Sequence, residues 1–310
     1  QKQYVKGTPQ IAGDNGKVGV TYTIGKGAWA INFTLLSAEY STARILDGND
    51  IVWPQNTEKF LVLHYTLQNP NPTNLTANFW TLKWTAIDSG DVNHDGLATF
   101  QKEGTQKTDQ INIKPGQKLA YVSAIKIPSD VSIPKLIIQR GEGAKVLRLY
   151  FKKGEIKPLA PTLADPADPL GATVRKEILV APGESGALSP FFDVKLDSSD
   201  YEDTIGVVKP QTGNRFFVAK VIVHNSGLHN WVLNGFSIPS SIKTDDGEKT
   251  GWAHPDIFKT ARNEGVDMQL DGGQDYTVRV ILQVPQNVKV TELRLRGNEV
   301  CRPLLFKIGG

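Results

Sequence analysis

Two stretches decide how this chain is read: residues 59–69 (KFLVLHYTLQN) and residues 215–225 (RFFVAKVIVHN). At an offset of 156 they set Phe60 on Phe216, Val62 on Val218 and Asn69 on Asn225. Leu61, Leu63, Tyr65 and Leu67 share one side of a period-2 pattern in the first, and Phe217, Ala219, Val221 and Val223 do so in the second. A pleated strand sends successive side chains to opposite faces, so each stretch reads as a strand with one face in a core. The chain reads as two copies of one β-domain, each built around this strand.

The repeat extends outward from both stretches. Upstream, residues 29–40 (WAINFTLLSAEY) match residues 190–201 (PFFDVKLDSSDY) at an offset of 161, with Leu35 on Leu196, Ser37 on Ser198 and Tyr40 on Tyr201. Downstream, a strand is expected over residues 79–87 (FWTLKWTAI), with a looser counterpart at 232–242. Asp95-Gly96 and Asp246-Gly247 read as the turns that join antiparallel strands. The last third repeats at an offset of 157: Leu119, Tyr121, Ile125 and Ile127 match Tyr276, Val278, Leu282 and Val284, while Leu136 and Ile138 match Leu293 and Leu295. Alternating strands separated by turn residues at this spacing predict an all-β chain of two tandem, immunoglobulin-like antiparallel sandwiches.

The expected boundaries are 1–151 for the first sandwich, with a loose tail over about 1–17, then a linker at 152–171, then 172–310 for the second. Pro158, Pro161, Pro166 and Pro169 remove ladder donors and favour extended backbone in the linker. A helical turn or two is expected within 256–263.

Bulk properties narrow the function classes. A chain of 310 residues suffices for two domains with their own cores, and 39% hydrophobic with 22% charged residues describes a globular protein. No apolar run approaches the roughly 20 residues a membrane helix needs. The net charge of +3 is too balanced for a nucleic-acid binder, and no basic cluster interleaves with aromatics. The single cysteine, Cys301, excludes an internal disulfide and a Cys-based zinc site, and reads as a small buried side chain on the last strand. A start at Gln1 without Met fits a mature exported chain whose signal peptide has been removed, so a secreted, periplasmic or cell-surface location is expected.

A central strand ending in Asn-x-Gly (Val221-Ile222-Val223-His224-Asn225-Ser226-Gly227), an Asp-Gly hairpin and a later strand led by Pro115-Gly116-Gln117 or Gly272-Gly273-Gln274 form a recognisable combination. It resembles the immunoglobulin-like β-sandwich domains of the immunoprotective extracellular protein family and related bacterial secreted proteins of unknown function. The resemblance covers residues 28–151 and 172–307, and it implies a secreted or surface-attached sandwich without enzymatic activity. In the first copy Pro70-Asn71-Pro72 replaces the Asn-x-Gly continuation.

Several residues are candidates for chemistry. Asp91, Asn93 and Asp95, followed by Gly96, place oxygen ligands at the alternate positions that open a calcium loop. The twelfth position is Lys102, with Glu103 one residue late, and the competing reading is an Asx-rich turn. Trp53 and Trp252 lie in expected loops and are candidates for a sugar or peptide site, since sugars stack on flat exposed rings. Trp80 and Trp84, with Leu82 between them, read as core-facing positions of one strand. The acid-rich residues 197–203 (DSSDYED) read as a solvated loop, and no catalytic residues are assigned. The expected function is a non-catalytic exported adhesion, scaffold or ligand-binding module at the cell envelope, with a protein or glycan partner. The runner-up is a calcium- or carbohydrate-binding accessory module, and a hydrolase using loop carboxylates stands third.

Overall fold

The computed structural model describes residues 13–48, 50–105, 110–141 and 144–309. It is all-β, and among the described residues no helix is long and apolar enough to cross a membrane. The chain divides into two compact units, Gln1–Ala160 with Ala164–Val174, and Pro161–Leu163 with Arg175–Gly310.

In the first unit one sheet runs Thr99–Lys102, Lys118–Pro128, Glu58–Gln68, Ile31–Ser41 and Ile156–Lys157, with Thr21–Ile24 also pairing Ile31–Ser41. The other runs Gly13–Gly16, Val146–Tyr150, Lys135–Gln139, Lys83–Ile87 and Asn93–Asp95. In the second unit the first sheet runs Ser185–Ala187, Phe192–Glu202, Asn214–Asn225, Asp275–Pro285 and Asp256–Lys259. Its partner runs Ile178–Val180, Leu304–Lys307, Val290–Leu295 and Ser240–Thr244. Each unit adds a two-stranded ribbon, Leu75–Ala77 with Ile111–Ile113 and Trp231–Leu233 with Met268–Leu270.

The sheets of each unit face one another across the alternating residues of the central strands. In the first unit Trp84 from one sheet meets Tyr65 and Phe33 from the other, with ring centroids 5.1 and 5.7 Å apart. In the second, Val194, Val221 and Val278 share a cluster with Ile242, Leu293 and Leu304. Burying each such side chain contributes about 1.5–3 kcal/mol, so this seam dominates the stability of each unit. The outer face of the central strand is also covered. Phe60 and Val62 pack with Ala124 beneath Ile45 and Val52 of a small hairpin, and Phe216 and Val218 pack with Ile205 and Ile281.

Three local devices recur in both units. A bulge interrupts the neighbouring strand at Leu35/Ser37 and at Leu196/Ser198. Beyond the bulge, a basic side chain lies over a tyrosine ring whose hydroxyl accepts from a backbone amide. Lys59 lies over Tyr40, which accepts from Ile133, and Arg215 lies over Tyr201, which accepts from Val290. Finally, the buried asparagine that ends the central strand ties down the next turn. Asn69 Nδ2 donates to the Thr73 and Ile113 carbonyls and its Oδ1 accepts from Asn71 N; Asn225 does the same with His229, Leu270 and Gly227.

The structure departs from the sequence expectations at several points. Of the expected tail, residues 1–12 lie outside the described residues, while Gly13–Gly16 pairs in parallel with Val146–Tyr150. Residues 256–263 hold no helical turn: Asp256–Lys259 is a strand on Asp275–Pro285. The acid-rich residues 197–202 extend a strand beside Asn214–Asn225. Asp95-Gly96 is not the hairpin turn of the first unit. That turn spans residues 88–92, because the Asp88 carboxylate accepts from the Gly90 and Val92 amides and closes the chain there. The proline-rich segment folds back on the first unit: Ile156–Lys157 pairs with Ala38–Glu39, Leu159, Ala172 and Val174 are buried, and Val174 N donates to Ser129 O. Lys59 Nζ reaches the carbonyls of Ser129 and Val131, 3.1 and 2.6 Å away, and also that of Ala172.

Candidate functional site

Alternation places Trp80 with Trp84 in the core, and for Trp84 this holds, since it is 2% exposed. Trp80 is 83% exposed. The reason is local. Asn78 Oδ1 accepts from Trp80 N, and Thr81 Oγ1 accepts from Asn78 N at 2.7 Å. An asparagine paired with a threonine three residues on offers the backbone a turn in place of a ladder. The strand starts only at Lys83, and Trp80 stands at the apex of the turn with its ring out.

A second indole comes from the other end of the unit's sequence. The 3-10 turn Gly27–Trp29 presents Trp29 at 75% exposure. Gly25 permits this turn: its φ is +86°, and a Cβ there would lie 2.7 Å from Trp29 O. Arg140, buried at the end of Lys135–Gln139, bridges the two turns, donating Nε to Trp29 O and Nη1 to Thr81 O at 3.3 Å. Burial lowers the Arg140 pKa, and the guanidinium is held by carbonyl dipoles. Asn71 Nδ2 adds a bond to Ala30 O at 2.9 Å, tying the Trp29 turn to the loop that Asn69 organises.

The two indoles line a cleft of about 690 Å³ together with Lys26, Thr76, Asn78 and Arg140. That volume lies within the roughly 300–1,000 Å³ typical of small-ligand sites. Two flat apolar rings beside amide, hydroxyl and ammonium groups suit a ligand with one apolar face and a polar edge. Neither Trp29 nor Trp80 was singled out from the sequence as exposed. The available signal was the tetrapeptide Asn78-Phe79-Trp80-Thr81, which recurs as Asn234-Gly235-Phe236-Ser237 at the same offset as the central strands.

The residues chosen from the sequence lie elsewhere. Trp53 follows the small hairpin half-buried, with Arg44 5.5 Å from its ring centroid and its indole nitrogen buried, so it offers no open platform. Trp252 is partly exposed beneath Arg296. Asp91 sits in the 88–92 turn at φ +59°, whereas Asn93 and Asp95 lie on the strand Asn93–Asp95. Asp95 Oδ1 accepts the Thr85 hydroxyl. Asp88, the residue that closes the turn, also pairs with His94 at 3.0 Å. Among the described residues no group of three or more His, Cys, Asp or Glu is placed to hold a metal ion. Cys301 is buried in the bend before Leu304–Lys307, not on that strand, and burial raises its pKa. His224 pairs with Asp275 at 2.6 Å, but the nearby Ser226 gives its hydroxyl to Asp193, so no nucleophile–base relay forms there.

No protein-family model and no curated protein matches the chain. Among solved structures it is similar to an uncharacterised β-sandwich protein from Clostridium difficile, at 12% identity and TM-score 0.33, over 47% of this chain and 100% of that one. It is also similar to the secreted protein MPT63 from Mycobacterium tuberculosis, at 14% identity and TM-score 0.34, over 46% of this chain and 100% of that one. The yjhA protein from Bacillus subtilis matches at 16% identity and TM-score 0.27, over 43% of this chain and 98% of that one.

Proposed function

We propose that the chain is an exported, non-catalytic binding module of the cell envelope, made of two tandem immunoglobulin-like sandwiches, and that its first unit binds a saccharide between Trp29 and Trp80. The observation that carries the reading is the pair of largely exposed indoles on one cleft, held apart by the buried Arg140. Large aromatic rings left in water at a shared concavity cost hydration free energy that ligand burial recovers. Sugar C–H faces match such rings, and the rim residues Lys26, Asn78 and Thr76 supply partners for ring hydroxyls. The central strands follow one order in both units, with Ile156–Lys157 and Asn93–Asp95 added at sheet edges of the first, which supports the tandem reading.

A glycan array followed by calorimetric titration of the best hit tests this. Trp29→Ala and Trp80→Ala should each weaken binding about tenfold or more, given the about 1.5–3 kcal/mol typical of burying a large side chain. Both rings are mostly in solvent, so the melting temperature should hold. An array without a signal, or a ligand bound equally by the double variant, removes the proposal.

A further inference from the structure

We propose that the second unit carries a separate site for a ring bearing a carboxylate, built from Phe236, Trp252 and Arg296. Its foundation is the turn that repeats the Asn78 arrangement. Asn234 Oδ1 accepts from Phe236 N at 3.0 Å and Ser237 Oγ accepts from Asn234 N at 3.1 Å, so Phe236 is carried outward at 72% exposure. His254 packs against its ring with centroids 4.9 Å apart. Both line one cleft together with Trp252, Arg296 and the 297–299 turn.

Arg296 supplies the chemistry. Its guanidinium lies 4.2 Å from the Trp252 ring centroid, and its Nε is buried with no hydrogen-bond partner. The ion pairs with Glu177 and Glu292 belong to Arg294, two residues earlier, and among the described residues Arg296 forms none. An indole stacked on one face of a guanidinium leaves the in-plane donors uncovered at its edge, the geometry that accepts a carboxylate bidentately. Because Nε is buried, an incoming carboxylate is met by the two Nη groups at the end of the fork. Glu299 stands exposed at the rim of the same cleft and lowers the local positive charge, which favours a single carboxylate over a phosphate dianion.

Size limits the occupant. The cleft holds about 220 Å³, below the roughly 300 Å³ at which small-ligand sites usually begin, so it admits one ring and not an oligomer. The first cleft differs in kind: Arg140 has given donors to Trp29 O and Thr81 O. The inference therefore does not depend on saccharide binding in the first unit.

A ring with a carboxylate arises either as a uronic acid residue or as an aromatic acid. The full chain, labelled with nitrogen-15, has six indole N–H signals, and Trp252→Phe identifies that of Trp252. Titrations with methyl glucuronide, methyl glucoside and benzoate separate the cases. The Trp252 signal should move with at least one acid and stay fixed with the glucoside. Response to the glucuronide alone assigns a uronic acid, and response to benzoate alone assigns an aromatic acid. Arg296→Gln should weaken the responding acid at least tenfold, and Arg296→Lys, which keeps the charge but loses the fork, should also weaken it. Absence of movement with both acids, an equal response to the glucoside, or unchanged affinity in Arg296→Gln overturns the proposal. The Trp29 and Trp80 signals report the first cleft separately, so failure here leaves that reading to its own test.

Discussion

Removing the buried asparagine at the end of a central strand should cost more than almost any other single polar change in the chain. Asn225 is fully buried, and its side chain makes three hydrogen bonds: to His229 O at 2.8 Å, to Leu270 O at 2.7 Å and from Gly227 N at 2.9 Å. Asn225→Ala leaves two carbonyls and one amide without those partners. At about 1–3 kcal/mol for each stranded buried group the ceiling is near 9 kcal/mol. The His229 and Gly227 groups sit in a turn that water can reach after modest relaxation, so about 3–5 kcal/mol is expected. For a unit of this size each kcal/mol moves the midpoint by roughly 2–5 °C, so one thermal transition should fall by about 6–25 °C. Asn230→Ala, which removes only an exposed bond to Gln269, is the control and should change stability by less than about 0.5 kcal/mol. Differential scanning calorimetry of the full chain reads both, and hydrogen exchange at Gly227 reports the freed amide. Asn69→Ala should act on the first unit in the same way. A loss for Asn225→Ala no larger than that of Asn230→Ala would refute the claim that this residue fastens the turn.

Other consequences are testable with similar means. Burial raises the pKa of Asp88, but hydrogen bonds from Val92, His94 and Gly90 outweigh it, and the carboxyl sits below its ordinary 3.8. Its stabilisation is therefore present above that value and lost as pH falls through the folded-state pKa: Asp88→Asn should be less stable than wild type at pH 7, and urea melts should show the gap closing below about pH 4. Lys59→Met keeps the side-chain volume and removes the donors to Ser129, Val131 and Ala172. The relief of burying a cation offsets part of that loss, leaving about 2–3 kcal/mol of destabilisation and faster limited proteolysis within residues 160–174. Millimolar calcium should leave the melting temperature unchanged, because Asp95 serves Thr85 and Asp91 lies off the strand that carries Asn93; a rise abolished by Asp91→Ala and Asp95→Ala would establish a cation site instead.

What could be read in advance follows the range of the interactions. The inward residues of the central strands were legible because one buried face imposes period 2 on Leu61, Leu63 and Tyr65 as on Phe217, Ala219 and Val221. The pairing of Tyr40 with Tyr201 was visible too, and the structure supplies its cause in the basic side chain over each ring. The outer cover was harder, although Phe60 and Val62 are apolar on the face opposite Leu61 and Leu63; it depends on a hairpin of Ile45–Asp47 and Asp50–Val52 that alternation does not identify. Trp80 escaped because Trp80, Leu82 and Trp84 alternate faultlessly while the backbone is still turning. There a side-chain hydrogen bond spanning two residues outweighs a pattern spanning eight. Asp95-Gly96 misled for the related reason that Asp88 had already closed the turn. The Arg140 bridge joins residues far apart in the chain, and no spacing rule anticipates it.

The clasp beneath Tyr40 bears on the order of events during synthesis. Lys59 is held partly by the carbonyl of Ala172, a residue that leaves the ribosome well after the last sheet strand of the first unit at Ile156–Lys157. Arg215, by contrast, donates to Val288 between two sheet strands of its own unit. The first unit thus emerges with its strands complete and one basic side chain still lacking its Ala172 acceptor, an interval on the order of seconds at the usual 5–20 residues per second. A recombinant fragment ended at Ala160 would keep the Ile156–Lys157 strand and hold that unfinished state permanently, whereas one carried to Val174 would not. Where the chain is cut, rather than how many strands it contains, decides whether the first unit can be studied alone.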